Sequence, residues 1–257
     1  MTKMLTLVAP AKLNLFLHIT ERQPDGYHKL QTVFQLLDFG DQLHFTEASA
    51  GEINVSVTDE FDSGPSATKQ KFAKAVAAMP LEENLVYRAT KLLLDCANFD
   101  VSDRPGVSIE LHKRLPVGGG LGGGSSDAAT TLVGLNQFWQ LGFSIDKLCQ
   151  LGVNLGADVP VFVRGRSAWA EGIGDQLTAL ELPPQWYVIV RPNCEVSTTA
   201  IFQHPELTRN TLPITIRAFF SGDTLGKGTA NNCQAVTELL FPEVAKARKW
   251  LTQYGPA

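Results

Sequence analysis

The chain has 257 residues, of which 44% are hydrophobic and 19% charged, and its 22 Lys and Arg face 26 Asp and Glu for a formal net charge of -4. That leaves room for one large domain or two modest ones and excludes wholesale disorder, collagen-like repetition and a small disulfide scaffold. The acidic balance excludes bulk capture of nucleic acid, which needs a cationic footprint, but allows one local positive pocket for a small polyanion.

At the N-terminus, Lys12 interrupts any long apolar core, and nowhere does a run of about 18 apolar residues suggest a membrane span. Residues 12 to 19 alternate. Leu13, Leu15, Leu17 and Ile19 fall on one side and Lys12, Asn14, Phe16 and His18 on the other, which predicts a strand with one buried face and one face able to carry chemistry. Pro24-Asp25-Gly26 signals a turn, and a second strand follows around Val33 to Phe39. The two form a hairpin with a long tip, from which Tyr27 and His28 emerge. Thr58 to Pro80 is poor in large apolar residues and reads as an insertion with one short helix at Lys71 to Met79.

Asn84 to Cys96 carries a helical stripe of Leu85, Ala89, Leu92 and Cys96. Val107 to Leu111 is a strand that delivers the chain into Pro116-Val117-Gly118-Gly119-Gly120-Leu121-Gly122-Gly123-Gly124-Ser125-Ser126-Asp127. Ala128, Leu132, Leu135 and Trp139 then recur at helical spacing, so the glycines open a helix. Beyond Gly165 the composition shifts. Trp186 to Val190 reads as a strand, and Cys233 to Leu240 and Val244 to Tyr254 as helices. The mixed order predicts an α+β protein of two domains meeting near residue 169. Cys96, Cys149, Cys194 and Cys233 are dispersed and form no Cys-x-x-Cys pair, which fits a reducing, cytoplasmic setting.

Six glycines in seven positions are too costly in entropy for a packed strand or helix. A plain linker would not run straight into Ser-Ser-Asp and an amphipathic helix. Placed before a helix, the loop's N–H groups converge at the positive end of the helix dipole and make an anion site, with Ser125 or Ser126 able to bond a phosphate or a magnesium ion. Gly118, Gly120 and Gly123 formally satisfy a dinucleotide fingerprint, but Pro116 at the entry and the lack of an acidic strand end disfavour it. The stretch from Gly222 to Gly228 falls one residue short of a Walker loop. Asp38-Phe39-Gly40 stands without the catalytic loop that would give it meaning. Asp158 lies among apolar residues at the lip of an expected strand. It is either a capping aspartate or a base beside a cation, for which Lys12 is the candidate.

Lys12-Leu13-Asn14-Leu15, the loop at Pro116 to Ser126 and the segment Leu155 to Pro160, in that order, resemble the GHMP family of small-molecule kinases. The resemblance runs from about Ala9 to the end of the chain. It implies a two-domain α+β fold: a ribosomal protein S5 domain 2-like ATP-binding domain over residues 1–168, and a ferredoxin-like second domain over 169–257. It also implies ATP and Mg2+ as cofactors. Pro116, Val117, Gly118, Gly119, Gly120, Leu121, Gly122, Gly123, Gly124, Ser125 and Ser126 would cradle the phosphates, with Lys113, Asn84 and Leu85 near the adenine. Lys12 and Asp158 would form the catalytic pair. The Pro24-Asp25-Gly26-Tyr27-His28 element narrows the resemblance to members whose substrate is a cytidine-diphosphate-linked methylerythritol. Asn14 and His28 would hold that substrate, Tyr27 and Phe202 would sandwich the cytosine, and Thr198 would add a polar contact. A homoserine, mevalonate or sugar kinase and a catalytically silent nucleotide binder are the alternatives. The expected partners are the small substrate alone, with no nucleic acid and no membrane, in a monomer or weak homodimer. Family members carry a further glycine-rich loop and closing strands after a segment like Trp250 to Ala257, and the insertion at Thr58 to Pro80 is longer than the family leads one to expect.

Overall fold

The computed structural model describes residues 3–60, 80–100, 103–221 and 228–255; the helix expected at 71–79 and most of the near-Walker stretch at 222–228 lie outside them. The chain divides into two compact units, Met1–Leu13 with Leu36–Arg166 and Asn14–Gln35 with Ser167–Ala257. A single cut near residue 169 marks only the last of three crossings, because two long strands, β1 (Met4–Arg22) and β2 (His28–Ala48), each serve both units.

In the first unit, β3 (Ile53–Asp59) pairs in parallel with β4 (Gly106–Lys113), and β4 pairs antiparallel with residues 42–48 of β2. The strand therefore occupies the start of the expected insertion. Helix α1 (Leu85–Ala97) begins where the Asn84 side chain accepts a hydrogen bond from Val86 N–H, and ends at Asn98 in the left-handed region. It buries Val86, Ala89, Thr90, Leu93 and Leu94, a face rotated from the stripe read in the sequence. Helix α2 (Gly123–Phe138) is enclosed along most of its length and packs Phe138 near Phe45. α3 (Ile145–Val153) and α4 (Val159–Arg164) complete the unit. The run Val159–Val163 is a buried helix rather than the expected strand. Pro160 has no N–H for a ladder but is tolerated in a first helical turn, and Gly165 closes the helix at a φ of 62°.

In the second unit, Thr32–Phe34 of β2 pair antiparallel with β5 (Ala168–Glu171), which pairs with β6 (Gln176–Ala179). Among the described residues four short helices follow: α5 (Thr198–Gln203), α6 (Ile216–Phe220), α7 (Gln234–Leu240) and α8 (Pro242–Leu251). Strand β1 departs from its expected one-sided pattern. Phe16 is buried with Val33, Trp169 and Phe219, while Ile19 is buried with Ile201, Leu207 and Val236. Both faces of this part of β1 are covered, so Phe16 and His18 are buried core rather than a chemical surface. Trp186 to Val190 forms no strand: among the described residues no strand pairs with it, and Trp186 is fully exposed. Among the described residues no helix is long and apolar enough to cross a membrane.

Candidate active site

The glycine loop joins β4 to α2. Gly118, Gly120 and Gly122 all take left-handed φ values, 69°, 74° and 74°. The last two glycines, Gly123 and Gly124, sit inside the first helical turn. At Gly122 the lack of a side chain is required twice over. Its backbone is left-handed, and a Cβ would lie 2.8 Å from Phe162 Cζ and 3.1 Å from Lys12 Cγ. Gly122 caps α2 without any side-chain hydrogen bond, and the first turn carries no acidic residue. The turn itself therefore supplies no carboxylate to the first N–H groups of α2, although Asp41 from β2 stands close by, its Oδ2 3.6 Å from a Cβ built on Gly123. Ser126, one turn in, is fully buried with its hydroxyl lacking a protein partner. An orphaned hydroxyl behind a ring of N–H donors is chemistry suited to phosphate oxygens and to a hard cation carried with them.

β1 passes beside this loop. Lys12 donates its backbone N–H to Leu121 O at 2.9 Å. Its side chain is 8% exposed and places Nζ 3.4 Å from Asp158 Oδ2, on a side chain 34% exposed. Asp158 occupies the N-cap position of α4 but makes no side-chain cap bond, so its carboxylate serves the lysine rather than the helix. Two residues before it, a Cβ built on Gly156 would sit 3.5 Å from Ser125 Oγ in α2, in ordinary contact. The first unit thus brings Lys12, Asp158 and the glycine-serine loop together. Asn84 and Leu85 join them at the start of α1, where Leu85 Cδ1 is 3.3 Å from a Cβ built on Gly124.

Lys113, which the resemblance would place near the adenine, ends β4. It is buried, and its ammonium donates to both Asp41 and Asp127, the latter at 2.8 Å. The other oxygen of Asp41 accepts the backbone N–H groups of Arg114 and Leu115, at 2.5 and 2.7 Å. The Lys113 ammonium is thereby committed to fastening the end of β4 to the first turns of α2. Burial opposes its charge, yet the two carboxylates outweigh that and raise its pKa. One ammonium cannot balance two buried carboxylates, and the excess is relieved at Asp127, whose pKa is pushed up to about 7 by burial first and by Asp41 besides. The sequence reading missed Asp41. Its signal was a lone carboxylate inside a strand-like run, masked by its place beside the chance triplet Asp38-Phe39-Gly40.

The remaining expected residues lie in the second unit. Asn14 Nδ2 donates to Thr32 Oγ1 at 2.9 Å. Tyr27 is exposed at the hairpin tip, which closes through Tyr27 N–H to Asp25 and Gln23 N–H to Tyr27 O. His28 opens β2, and its ring centroid is 5.3 Å from that of Phe202 on α5. Thr198 begins α5 and is exposed. Phe202 is half-buried against the Ile19 cluster. His28 and Phe202 are thus brought together. His28 Nε2 also meets Arg209 Nε at 3.0 Å, a neighbour that no motif announced.

Residues 84–166 match the family model for the GHMP kinase N-terminal domain. The chain is 48% identical over 254 residues to a 4-diphosphocytidyl-2-C-methyl-D-erythritol kinase from Chromohalobacter salexigens, covering 98% of this chain and 78% of the relative. It is 49% identical to one from Nitrosococcus oceani, with 99% and 81% covered. A crystal structure of 4-(cytidine 5'-diphospho)-2C-methyl-D-erythritol kinase superimposes with a TM-score of 0.73 at 32% identity, covering 98% of this chain and 84% of that one. A homoserine kinase structure from Cytophaga hutchinsonii, at a TM-score of 0.50 and 19% identity, shares the fold alone. The chain belongs to the GHMP kinases and, within them, to the 4-diphosphocytidyl-2-C-methyl-D-erythritol kinase family.

Proposed function

We propose that this enzyme transfers the γ-phosphoryl group of ATP to the 2-hydroxyl of 4-diphosphocytidyl-2-C-methyl-D-erythritol, giving the 2-phosphate and ADP on the route to isoprenoid precursors. The observation that carries the reading is the Lys12–Asp158 pair held at 3.4 Å beside a glycine loop that opens a helix. Phosphoryl transfer has a loose, charge-rich transition state, so positioning and electrostatics do most of the work. Asp158 takes the proton of the substrate hydroxyl as its oxygen bonds to the γ-phosphorus, and the bridging bond to the β-phosphate breaks to release ADP. Lys12 stabilises the charge that builds on the transferred group. The N–H groups of residues 118–124 and the Ser125 hydroxyl orient the phosphates. Ser126 would hold Mg2+, which when bound neutralises the β- and γ-phosphate charge. Asn84 and Leu85 line the adenine side.

On the substrate side, Asn14 and Thr198 supply polar contacts, Tyr27 and Phe202 stack on the cytosine, and His28 reads its edge. The ATP-binding domain takes residues 1–168 apart from the stretch 14–35, which belongs to the same compact unit as the second domain at 169–257. The enzyme works in the cytoplasm as a monomer or weak homodimer, without nucleic-acid or membrane partners. The test is Mg2+-dependent ADP release with a panel of the cytidyl substrate, homoserine, mevalonate and galactose. Turnover with the cytidyl substrate alone is expected; turnover with another alcohol, or with none, would contradict the reading.

A further inference from the structure

We infer that Arg209 is a positioning residue that fixes His28 as the neutral Nδ1–H tautomer, so that His28 offers the bound base one hydrogen-bond donor and selects cytosine over uracil. This rests on the reading that His28 contacts the edge of the base. An arginine has no acceptor and is always protonated, so the 3.0 Å contact from Arg209 Nε can only be an N–H donated to a lone pair on His28 Nε2. A neutral imidazole with its lone pair on Nε2 carries its proton on Nδ1.

The guanidinium cannot swing away. One terminal nitrogen donates to Phe202 O and His204 O, at 3.0 and 2.7 Å, and the other to Leu207 O and Pro205 O, at 3.0 and 3.5 Å. With the bond to His28, all five donors of the fork are occupied. The end of α5 that carries Phe202, with the residues to Leu207, therefore also anchors the group that orients His28, whose ring lies against Phe202. Among the described residues no protein group is hydrogen-bonded to His28 Nδ1, so that N–H remains for a ligand. Burial, and then the charges of Arg209 and Arg22, lower the His28 pKa and oppose the doubly protonated ring.

The consequence is a matter of donors and acceptors. Ring nitrogen N3 is an acceptor in cytosine and an N–H donor in uracil. A fixed Nδ1–H pairs with the first and opposes the second. A histidine free to exchange tautomers accommodates either, and a polar group left unpaired costs about 1–3 kcal/mol, or roughly 5- to 150-fold in preference.

The experiment combines 15N NMR of the histidine-labelled full chain with kinetics on the cytidyl substrate and its uridine-diphosphate-linked analogue. The wild type is expected to show His28 protonated at Nδ1 and to prefer the cytidyl substrate in kcat/KM by about tenfold or more. Arg209→Met should give mixed His28 tautomers, a raised KM with kcat held, and a collapse of the cytidine-to-uridine preference. Protonation at Nε2 in the wild type overturns the inference even if Arg209→Met fails to fold. So does a folded Arg209→Met variant with an unchanged tautomer. An unchanged KM in His28→Ala overturns the base-contact reading itself, and is told apart because the wild-type tautomer is measured separately.

Discussion

The two units hold their ligand-binding groups in different ways. In the first, the proposed phosphate site is backbone: consecutive residues from 118 to 126, tied to β1 by the bond from Lys12 N–H to Leu121 O and fastened by Asp41, Lys113 and Asp127. In the second, the proposed base site is made of side chains from separated places, with His28 on a strand, Phe202 on a short helix and Arg209 in the stretch between that helix and the next. Phosphate is recognised by charge and N–H groups, which any residue with the right backbone supplies. A base needs particular faces and edges, which only particular side chains supply.

That contrast can be broken or sharpened by substitution. The largest expected effect is on the footing of the loop. Lys113→Met leaves two buried carboxylates facing each other and should cost roughly 3–5 kcal/mol of stability, read from urea unfolding. Next, Phe202→Leu keeps apolar volume but loses stacking worth about 1–3 kcal/mol, so KM for the cytidyl substrate should rise while KM for ATP stays put. Gly122→Ala forces a left-handed residue at about 1–2 kcal/mol and displaces Phe162 and Lys12, so calorimetry should show ATP affinity falling about tenfold.

A further effect is a pH slope. Asp127 binds its proton more tightly folded, with a pKa of about 7, than unfolded, at about 3.9. Its contribution to stability is therefore full below the unfolded value and is lost as pH rises through the folded one. The urea midpoint of the wild type should fall from about pH 4 to about pH 7 relative to Asp127→Asn. Equal slopes in the two proteins would remove the excess buried carboxylate from the footing of the loop.

The same contrast governs what could be read from the sequence. The glycine loop and the helix it opens were legible because backbone demands leave a local trace in residue type. The meeting of Lys12 with Asp158 was a candidate only, since nothing local links residues so far apart. Asp158 was expected at a strand because a five-residue apolar run has no decisive period; Pro160 and Gly165 were the discriminating residues. The alternation around β1 was read correctly as a strand, but the burial of Phe16 and His18 depends on Trp169 and Phe219, which the local pattern does not contain. Trp186 to Val190 has strand-like composition, yet composition cannot supply a partner strand. Arg209 left no signal, since a lone arginine in a polar stretch looks the same whether it is solvated or holds four carbonyls and an imidazole.

The central claim is that chemistry resides in the Lys12–Asp158 pair while nucleotide binding resides in the loop beside it. The direct test is single-turnover phosphoryl transfer and calorimetric ATP binding on Asp158→Asn. The expected result is a loss of about 10²- to 10⁴-fold in the transfer rate with ATP affinity unchanged. Parallel losses in both, or an undiminished rate, would contradict it.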